Sequence, residues 1–320
     1  MTAHRNLIGG QWVTGQEAPN FNPSDTRDVI GVFHQASPQD VEAAIAAARD
    51  AFPAWARSGV QARSECLMRV GREIMDRRQE LADLLSREEG KTLREAFDEV
   101  GRAGNIFMFF AGEAVRSRGE KRESVRPGVE VEIVREPVGV VSLITPWNFP
   151  LAIPAWKIAP ALAYGNCVVF KPADLTPATA WTLADILFRA GIPPGVFNLV
   201  MGRGAVLGAA LVGPGVDAVS FTGSTGVGMS ILSAAAERKI AVQLEMGGKN
   251  PLVVLDDADL EVAVKAAVDG SFFSTGQRCT ASSRLIVQER VHDEFVARLT
   301  TAMKAQVVGD ARDAATTIGP

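Results

Sequence analysis

From residue 137 onward, short apolar runs alternate with stretches whose apolar positions recur at helical spacing. The runs are nearly continuous in Val, Ile, Leu and Phe, which is typical of parallel strands covered on both faces by helices. Strands are predicted at 138–144, 167–171, 196–200, 216–221 and 240–245. Helices are predicted at 152–163, 178–190, 206–212 and 227–238. The pattern predicts an α/β fold with a Rossmann-like, doubly wound parallel sheet.

Further elements flank this region on both sides. A second α/β set is predicted after it, with strands at 251–255 and 284–287 and helices at 260–273 and 292–307. Before it, a short strand pair over 7–13 precedes a helix that begins after the N-cap Ser37. Two more helical stretches cover 62–89 and 93–115. Each is charged on one face, and we expect those faces to be solvated.

Residues 119–139 follow a different pattern. Pro127 and Gly128 predict a turn, and apolar and polar residues alternate strictly after it. The segment is therefore predicted to be an exposed hairpin. A hairpin of this kind serves either as a flap at a sheet edge or as an arm that contacts another subunit.

Composition and charge exclude several classes of protein. The chain has 320 residues, of which 47% are hydrophobic and 22% are charged, so disordered and collagen-like chains are excluded. The net charge of −4 provides no basic excess, and we expect no nucleic-acid partner. Residues 137–156 carry no charge over the length of a membrane span. The prolines within them would break a helix, so no membrane segment is expected.

The cysteines indicate a compartment and a candidate nucleophile. The three cysteines have no CxxC spacing, and the N-terminus has no apolar stretch, which together predict a reducing cytoplasm. Cys66 and Cys167 lie in apolar segments and are expected to be buried. Cys279 lies in a polar segment beside Arg278, whose charge would favour the reactive thiolate. No metal site is expected.

Three other side chains are candidates for chemistry beside Cys279. Glu245 ends an apolar strand, and a carboxylate in apolar surroundings is suited to general-base work. Asn148 follows another strand between two prolines, where its amide is either an oxyanion donor or an ordinary turn residue. His292 opens a helix beside Asp293 and is expected at the surface, but paired with Cys279 it would make a cysteine hydrolase.

Glycine-rich turns follow several of the predicted strands. Residues 202–208 are loosely similar to a dinucleotide-binding fingerprint, but the third glycine is misplaced and no acid follows at the expected distance. Residues 223–230 nearly match a P-loop, but Met229 replaces the phosphate-binding lysine, which disfavours nucleotide hydrolysis. Ser224 still opens a helix whose free N–H groups would hold a diphosphate. At Gly247 a ligand could approach the backbone closely.

Five linked motifs resemble those of the aldehyde dehydrogenase superfamily in order and spacing. They are Trp147-Asn148-Phe149-Pro150, Phe170-Lys171-Pro172-Ala173-Asp174, Phe221-Thr222-Gly223-Ser224-Thr225, the segment 244–251 and Gly276-Gln277-Arg278-Cys279. Residues 153–166 and 272–281 resemble, more narrowly, bacterial 2,5-dioxopentanoate (α-ketoglutaric semialdehyde) dehydrogenases. The resemblance implies NAD(P)-dependent oxidation of an aldehyde to an acid through a cysteine thiohemiacetal and a thioester. The implied small-molecule substrate is 2,5-dioxopentanoate, and the product is 2-oxoglutarate.

The resemblance also assigns roles to individual residues. It implies Cys279 as nucleophile, Glu245 as general base, and Asn148 with the Cys279 N–H as the oxyanion hole. Lys171 is implied at the catalytic site and at the adenosine ribose. The implied substrate-pocket residues are Phe149, Ile153, Trp156 and Arg278, the last as partner of a distal carboxylate. The implied cofactor residues are Ile144, Thr145, Pro146, Trp147, Lys171, Ala173, Asp174, Gly204, Phe221, Thr222, Gly223, Ser224, Val227, Glu245, Met246 and Gly247.

The cofactor implied is NAD or NADP. Asp174 stands where members that prefer NAD often carry glutamate, and its shorter side chain would tolerate a 2′-phosphate. Both cofactors therefore stay open. The resemblance places Gly204 near the adenine end of the cofactor.

The resemblance further implies a domain division. Residues 1–118 and 140–245 would form the NAD(P)-binding domain, 119–139 the oligomerisation hairpin, and 246–320 the catalytic domain. The family pattern continues beyond Pro320, so we expect an incomplete catalytic domain here and a homodimer or homotetramer for the full-length parent. A catalytically inactive, cofactor-binding fragment and a cysteine hydrolase are the alternatives.

Overall fold

The computed structural model describes residues 3–116 and 119–320. The strands are β1 (Ala3–His4), β2 (Asn6–Ile8), β3 (Gln11–Val13), β4 (Gln16–Asn22), β5 (Asp25–Gln35), β6 (Glu120–Glu123), β7 (Glu130–Ile133), β8 (Val140–Ile144), β9 (Cys167–Lys171), β10 (Phe197–Leu199), β11 (Ala218–Gly223), β12 (Ala241–Met246), β13 (Asn250–Val254) and β14 (Ser282–Val287). The helices are α1 (Pro38–Ala56), α2 (Val60–Asp76), α3 (Arg78–Glu89), α4 (Leu93–Arg116), α5 (Ala152–Ala163), α6 (Pro177–Arg189), α7 (Gly204–Leu211), α8 (Thr225–Arg238), α9 (Leu260–Phe272) and α10 (Glu289–Lys304).

The central sheet has seven strands in the order β12-β11-β8-β9-β10-β2-β3. The strands from β12 to β10 are parallel, and the short β2 and β3 add an antiparallel edge. The chain begins the parallel part at β8, moves outward through β9 and β10, and then returns to the other side of β8 with β11 and β12. This order confirms the predicted doubly wound sheet, and it opens a crevice between the carboxyl ends of β8 and β11.

The main hydrophobic core lies between this sheet and its covering helices. Strand β9 is buried at every position, and so is β8 except at its last residue. Apolar side chains of α1, α2, α4, α5 and α6 pack into the same core, among them Phe107, Ile158 and Leu183. Burial on both faces explains why the strand sequences are continuous in apolar residues rather than alternating.

The predicted strands of the sheet lie within two residues of the observed ones, but two expectations in the N-terminal part were incomplete or wrong. The stretch 62–89 was predicted as one helical region, and the structure has two helices that meet at Arg77. The hairpin of β4 and β5 was missed, because Pro19 and many polar residues interrupt its apolar pattern. The turn residues Pro23 and Ser24 between the two strands were its only local signal.

The C-terminal elements form a second, smaller packing unit. Strands β13 and β14 pair in parallel, and α9 and α10 pack on them around Val254, Val264 and Phe295. Strands β6 and β7 pair antiparallel into the predicted hairpin, whose residues are exposed at every strand position. The boundaries of the domains and the oligomeric role of the hairpin stay predictions. In the described ranges 3–116 and 119–320, no helix has both the length and the apolar composition to cross a bilayer.

A buried carboxylate joins α3 to the start of α6. Glu88 accepts hydrogen bonds from the main-chain N–H groups of Ala178 and Thr179 at 2.6 and 2.8 Å, and from the Thr179 hydroxyl at 2.6 Å. Glu88 therefore caps a helix to which it does not belong. Burial raises the pKa of Glu88 to about 7, because the loss of hydration outweighs the three hydrogen bonds.

The pKa of Glu88 predicts a pH-dependent stability. Between its ordinary value of 4.5 and about 7, the unfolded chain releases a proton that the folded protein retains, so stability falls as the pH rises through this window. At about 1.4 kcal/mol per pKa unit, the contribution amounts to about 3 kcal/mol. Urea unfolding at pH 5 and pH 8 should show a smaller loss of stability in Glu88→Gln than in the wild type. The exposed Glu42→Gln on α1 is the control, and equal losses in all three proteins would contradict the assignment.

Candidate active site

A cavity of about 590 Å³ lies at the crevice between β8 and β11. The carboxyl ends of parallel strands and the residues after them line it, at 146–149, 222–224 and 245–247. The segment 276–280 forms another wall, and α4 contributes the charged side chains of Glu95, Asp98, Glu99 and Arg102. Cys279, Asn148 and Glu245 thus share one cavity.

Cys279 follows a strained turn. Helix α9 ends at Phe272, and Ser274, Thr275 and Gly276 then have φ values of 50°, 56° and 68°. Left-handed backbone is unfavourable for Ser and Thr, so the turn must be held by its surroundings. The main-chain N–H of Ser274 donates a 2.6 Å hydrogen bond to Glu95 of α4, which fixes the turn from outside. Cys279 itself is exposed to the cavity.

Asn148 connects the loop after β8 to the segment of the cysteine. Its side-chain Nδ2 donates a 2.7 Å hydrogen bond to the carbonyl oxygen of Gln277. An amide nitrogen carries two hydrogens, so one donor remains for an oxygen bound in the cavity. The main-chain carbonyl of Asn148 accepts a 2.8 Å hydrogen bond from Nζ of Lys91. Asn148 is therefore held at both its side chain and its backbone, unlike an ordinary turn residue.

Glu245 lies at the end of β12, opposite Thr222 of β11. We expected apolar surroundings for Glu245, and this expectation was wrong. Its side chain is exposed and accepts a 2.7 Å hydrogen bond from Gln243. Gln243 in turn accepts a 3.2 Å hydrogen bond from Nζ of Lys157. Burial lowers the pKa of Lys157 to about 8. A hydrogen-bonded chain therefore leads from the candidate base to a buried, titratable lysine.

The residues implied at the adenosine end lie at the ends of β9 and β10. Lys171 is buried at the end of β9, where burial lowers its pKa to about 8, and its Nζ donates to the carbonyl of Pro172. A Cβ atom on Gly204, at the start of α7, would lie 4.0 Å from Cε of Lys171. Asp174 is exposed three residues after Lys171, whereas Ala173 is buried. The structure thus brings Lys171 and Gly204 together, as a shared binding surface requires.

The helix α8 begins at the same crevice with Ser224 as its N-cap. Its first turn carries no acidic residue, and a Cβ atom on Gly226 would meet no atom within 4 Å. A Cβ atom on Gly223 would lie 2.5 Å from the ring of Phe221, which is buried, so the strand end fits only glycine. An uncrowded helix N-terminus beside a glycine turn has the geometry and the dipole to hold a phosphate group. The chain's residues therefore fit a dinucleotide at this edge.

The remaining implied residues are distributed around this edge of the sheet. Ile144, Thr145, Pro146 and Trp147 form the end of β8 and the loop after it. Met246 ends β12 and Gly247 follows it, both beside the cavity, and Val227 is exposed in the first turn of α8.

Of the implied substrate residues, Phe149, Ile153 and Trp156 line the cavity. Ile153 is buried and Trp156 is half-exposed. Arg278 also lines the cavity, but its Nη2 donates to the main-chain carbonyls of Asp269 and Gly270 at 2.9 and 3.0 Å. One nitrogen of its guanidinium is therefore engaged at the end of α9, whereas its Nε is buried without a hydrogen-bond partner among the described residues.

Several charged side chains of the helices that precede the sheet were expected to face solvent, but they are buried. The expectation of solvated faces was wrong at Glu88, Glu89, Glu95 and Glu99, which are all buried. Lys91, between α3 and α4, is buried as well and pairs with Glu99 at 2.7 Å. The only local signal was the capping pattern of Thr92 followed by Glu95, which opens α4.

His292 does not take part in this site. It is exposed on α10, where its ring lies 2.9 Å from Asp293, and it lines no cavity that contains Cys279. The pairing of Cys279 with His292 that a cysteine hydrolase needs is therefore not formed. Among the residues that the structure describes, no group of three or more His, Cys, Asp or Glu side chains could hold a metal ion.

The fold and the site define a doubly wound α/β protein with a cysteine at the switch point of its sheet. The chain belongs to the aldehyde dehydrogenase family, whose model matches residues 12–320.

Two curated relatives illustrate the similarity in sequence. The chain is 43% identical over 319 residues to alpha-ketoglutaric semialdehyde dehydrogenase of Bacillus subtilis, with 98% of this chain and 65% of that protein covered. It is 42% identical over 307 residues to 2,5-dioxopentanoate dehydrogenase of Saccharolobus solfataricus, with 94% and 64% covered. The chain thus spans less than two thirds of the length of these relatives.

A solved structure confirms the predicted fold. A betaine aldehyde dehydrogenase from Staphylococcus aureus, in complex with NAD⁺, superposes with a TM-score of 0.97 at 39% identity. The superposition covers 99% of this chain and 66% of the other.

The burial of the cysteines predicts selective labelling of Cys279. Of the three cysteines, Cys66 and Cys167 are buried and Cys279 is exposed. Burial also raises the pKa of the Cys66 thiol, and that of Cys167 to about 12, which suppresses their thiolates. Under native conditions, mass spectrometry after iodoacetamide should show one modified cysteine per chain, and none in Cys279→Ser. Denatured protein, as the control, should take up three labels, and rapid native labelling of Cys66 or Cys167 would contradict the assignment.

Proposed function

We propose that this chain carries the catalytic centre of an NAD(P)-dependent aldehyde dehydrogenase, with 2,5-dioxopentanoate as substrate and 2-oxoglutarate as product. The observation that carries the proposal is the single cavity shared by Cys279, Asn148 and Glu245 beside the N-terminus of α8. Membership of the family and the names of the relatives support both the reaction and the substrate class.

In this proposal, the side chains act in sequence on one carbon atom. The Cys279 thiolate attacks the aldehyde carbon, and the free amide hydrogen of Asn148 with the Cys279 N–H stabilises the resulting oxyanion. Bound NAD(P) supplies the hydride acceptor that converts the thiohemiacetal to a thioester. Glu245 then takes a proton from a water molecule, which attacks the thioester and releases the acid and the thiol.

The cofactor would lie along the carboxyl ends of the strands. Ser224 and the first turn of α8 would hold the diphosphate, and Lys171 with Gly204 would hold the adenosine part. Asp174 is exposed three residues after Lys171. If the ribose lies beside it, its short side chain would leave space for a 2′-phosphate. We therefore propose that both NAD and NADP are accepted.

The proposal also covers the domain boundaries, the hairpin arm and the cellular location. We propose a cofactor domain over 1–118 and 140–245, a hairpin arm over 119–139, and a catalytic portion over 246–320. Val131 and Ile133 alternate with polar residues on β7 and are exposed, which supports a role of the arm in contacts between subunits of a homodimer or homotetramer. A cytoplasmic location is part of the same proposal.

A direct assay tests the function of the chain. Purified protein, with its intact mass recorded on the same sample, is incubated with 2,5-dioxopentanoate and either NAD⁺ or NADP⁺. We expect absorbance of the reduced cofactor and formation of 2-oxoglutarate. Cofactor binding without any reduction would instead identify the chain as an inactive, cofactor-binding fragment.

Glu245→Gln should separate the two halves of the proposed reaction. Formation of the thioester does not need Glu245, so a first-turnover burst of reduced cofactor should remain. Hydrolysis needs the base, so steady-state turnover should slow by about 10²- to 10⁴-fold. Rapid-mixing absorbance measures both phases, and exposed Glu261→Gln on α9 is the control. Steady-state turnover like that of the wild type would remove Glu245 from this role.

Two arginines, Arg102 and Arg278, line the cavity. We expect their substitution to have different effects on KM for 2,5-dioxopentanoate. Arg278 is bonded to main-chain carbonyls, whereas the ion pairs on this part of α4 use Lys91 and Arg78 and leave Arg102 outside them. Arg102→Gln should therefore raise KM for 2,5-dioxopentanoate about tenfold. KM for pentanal, which has no carboxylate, should stay unchanged. If Arg278→Gln alone produces this selective effect, Arg278 is the carboxylate partner.

A further inference from the structure

Lys91 lies in the segment between α3 and α4 and has no role in the proposed reaction itself. Its side chain is 1% exposed, as is that of Glu99, and the two form a 2.7 Å ion pair. The Lys91 Nζ also donates to the carbonyl oxygen of Asn148 at 2.8 Å and lies 3.9 Å from the ring centre of Phe149. The ammonium group also lies 3.8 Å from Oε2 of the buried Glu89, so it is surrounded by Glu99, Asn148, Phe149 and Glu89.

Glu99 uses its second oxygen to hold the next part of the same loop. Its Oε1 accepts hydrogen bonds from the main-chain N–H groups of Leu151 and Ala152 at 2.9 and 3.0 Å. These groups belong to the start of α5, where no side chain of the helix's own N-cap residue takes them. The loop 148–152 is thus bound at its beginning by Lys91, which lies just before α4, and at its end by Glu99 of α4.

We propose that Lys91, held by Glu99, is a positioning residue that fixes the peptide of Asn148 and thereby orients its side-chain amide as an oxyanion donor. This inference rests on the proposed function. The amide is bonded at its far end to Gln277 and through its backbone to Lys91, so two anchors determine its direction. Without Lys91 the carbonyl of Asn148 loses its partner, and the peptide can rotate.

The cost of this arrangement supports a role beyond stability. A buried ion pair is often no better for stability than apolar side chains of the same volume. Its hydrogen bonds, however, have fixed lengths and directions, and small errors in the position of a catalytic group cost large factors in rate. The charged group of Lys91 is buried and donates to the main-chain carbonyl of Asn148, the candidate oxyanion donor.

The test compares two reactions of Cys279 that need no cofactor. In the first, the thiolate attacks p-nitrophenyl acetate, an oxyanion forms, and p-nitrophenolate leaves as the acetyl thioester is made. In the second, iodoacetamide alkylates the same sulfur by displacement of iodide, and no oxyanion forms. A residue that orients the oxyanion donor should affect the first reaction and leave the second unchanged.

For Lys91→Met we expect acylation about 10- to 100-fold slower than in the wild type, with an unchanged rate of alkylation. Lys91→Arg should recover most of the acylation rate, because its guanidinium can reach both Glu99 and the Asn148 carbonyl. Lys265→Met, an exposed lysine on α9, is the matched control. If Lys91→Met does not fold because Glu89 and Glu99 lose their buried cation, the variant Lys91→Met/Glu89→Gln/Glu99→Gln carries the same comparison without those two charges.

The outcomes separate this inference from the proposed function. Acylation by Lys91→Met at the wild-type rate would overturn the inference, and so would an equal fall of acylation and alkylation, which indicates a general structural role. A wild-type protein that is acylated but never reduces NAD(P)⁺ with an aldehyde would refute the proposed oxidation alone. A wild-type Cys279 that iodoacetamide alkylates but the ester does not acylate would overturn both.

Discussion

The reversal of strand order between β8 and β11 is the constraint on which the rest of the molecule depends. Because the chain winds away from β8 in both directions, the connections after these two strands diverge and leave a crevice. Parallel pairing brings Asn148, Ser224 and Glu245 to the same edge, although they lie far apart in sequence. The cysteine comes from the second packing unit and closes the crevice. The sheet therefore brings the segments of the cavity together, and the strand ends and loops carry the side chains that line it.

Buried charges on α4 and in the segment just before it connect the two sides of that crevice. Glu95 reaches the turn before Cys279, and Glu99 with Lys91 reaches the loop of Asn148. Breaking a buried ion pair costs about 3–5 kcal/mol, so these contacts resist displacement strongly. A core of apolar side chains would fill the same space, but it would not fix the direction of an individual carbonyl or N–H group. The start of α4, with Lys91 before it, thus connects the turn that precedes Cys279 to the loop of Asn148.

Much of this architecture could be predicted, and the failures share a cause. Strands buried on both faces leave continuous apolar runs, and the ends of those runs located Asn148 and Glu245. The buried Glu88, Glu95 and Glu99 were assigned to solvated faces, because a charged residue looks the same in sequence whether or not a distant partner covers it. Glu95 and Ser274 are 179 residues apart along the chain. The exposure of Glu245 was missed for the same reason, since neighbours from other segments decide it.

The left-handed turn at Ser274, Thr275 and Gly276 has a consequence for the order in which the molecule folds. Two residues with side chains occupy this unfavourable backbone region, and the carboxylate that compensates them belongs to α4. The turn gains that support only after the N-terminal helices and the C-terminal unit have met, which requires closure of a very long loop. We therefore expect the turn before Cys279 to reach its final geometry late in folding. A partly folded chain would then form the crevice between β8 and β11 before the segment of Cys279 is in place.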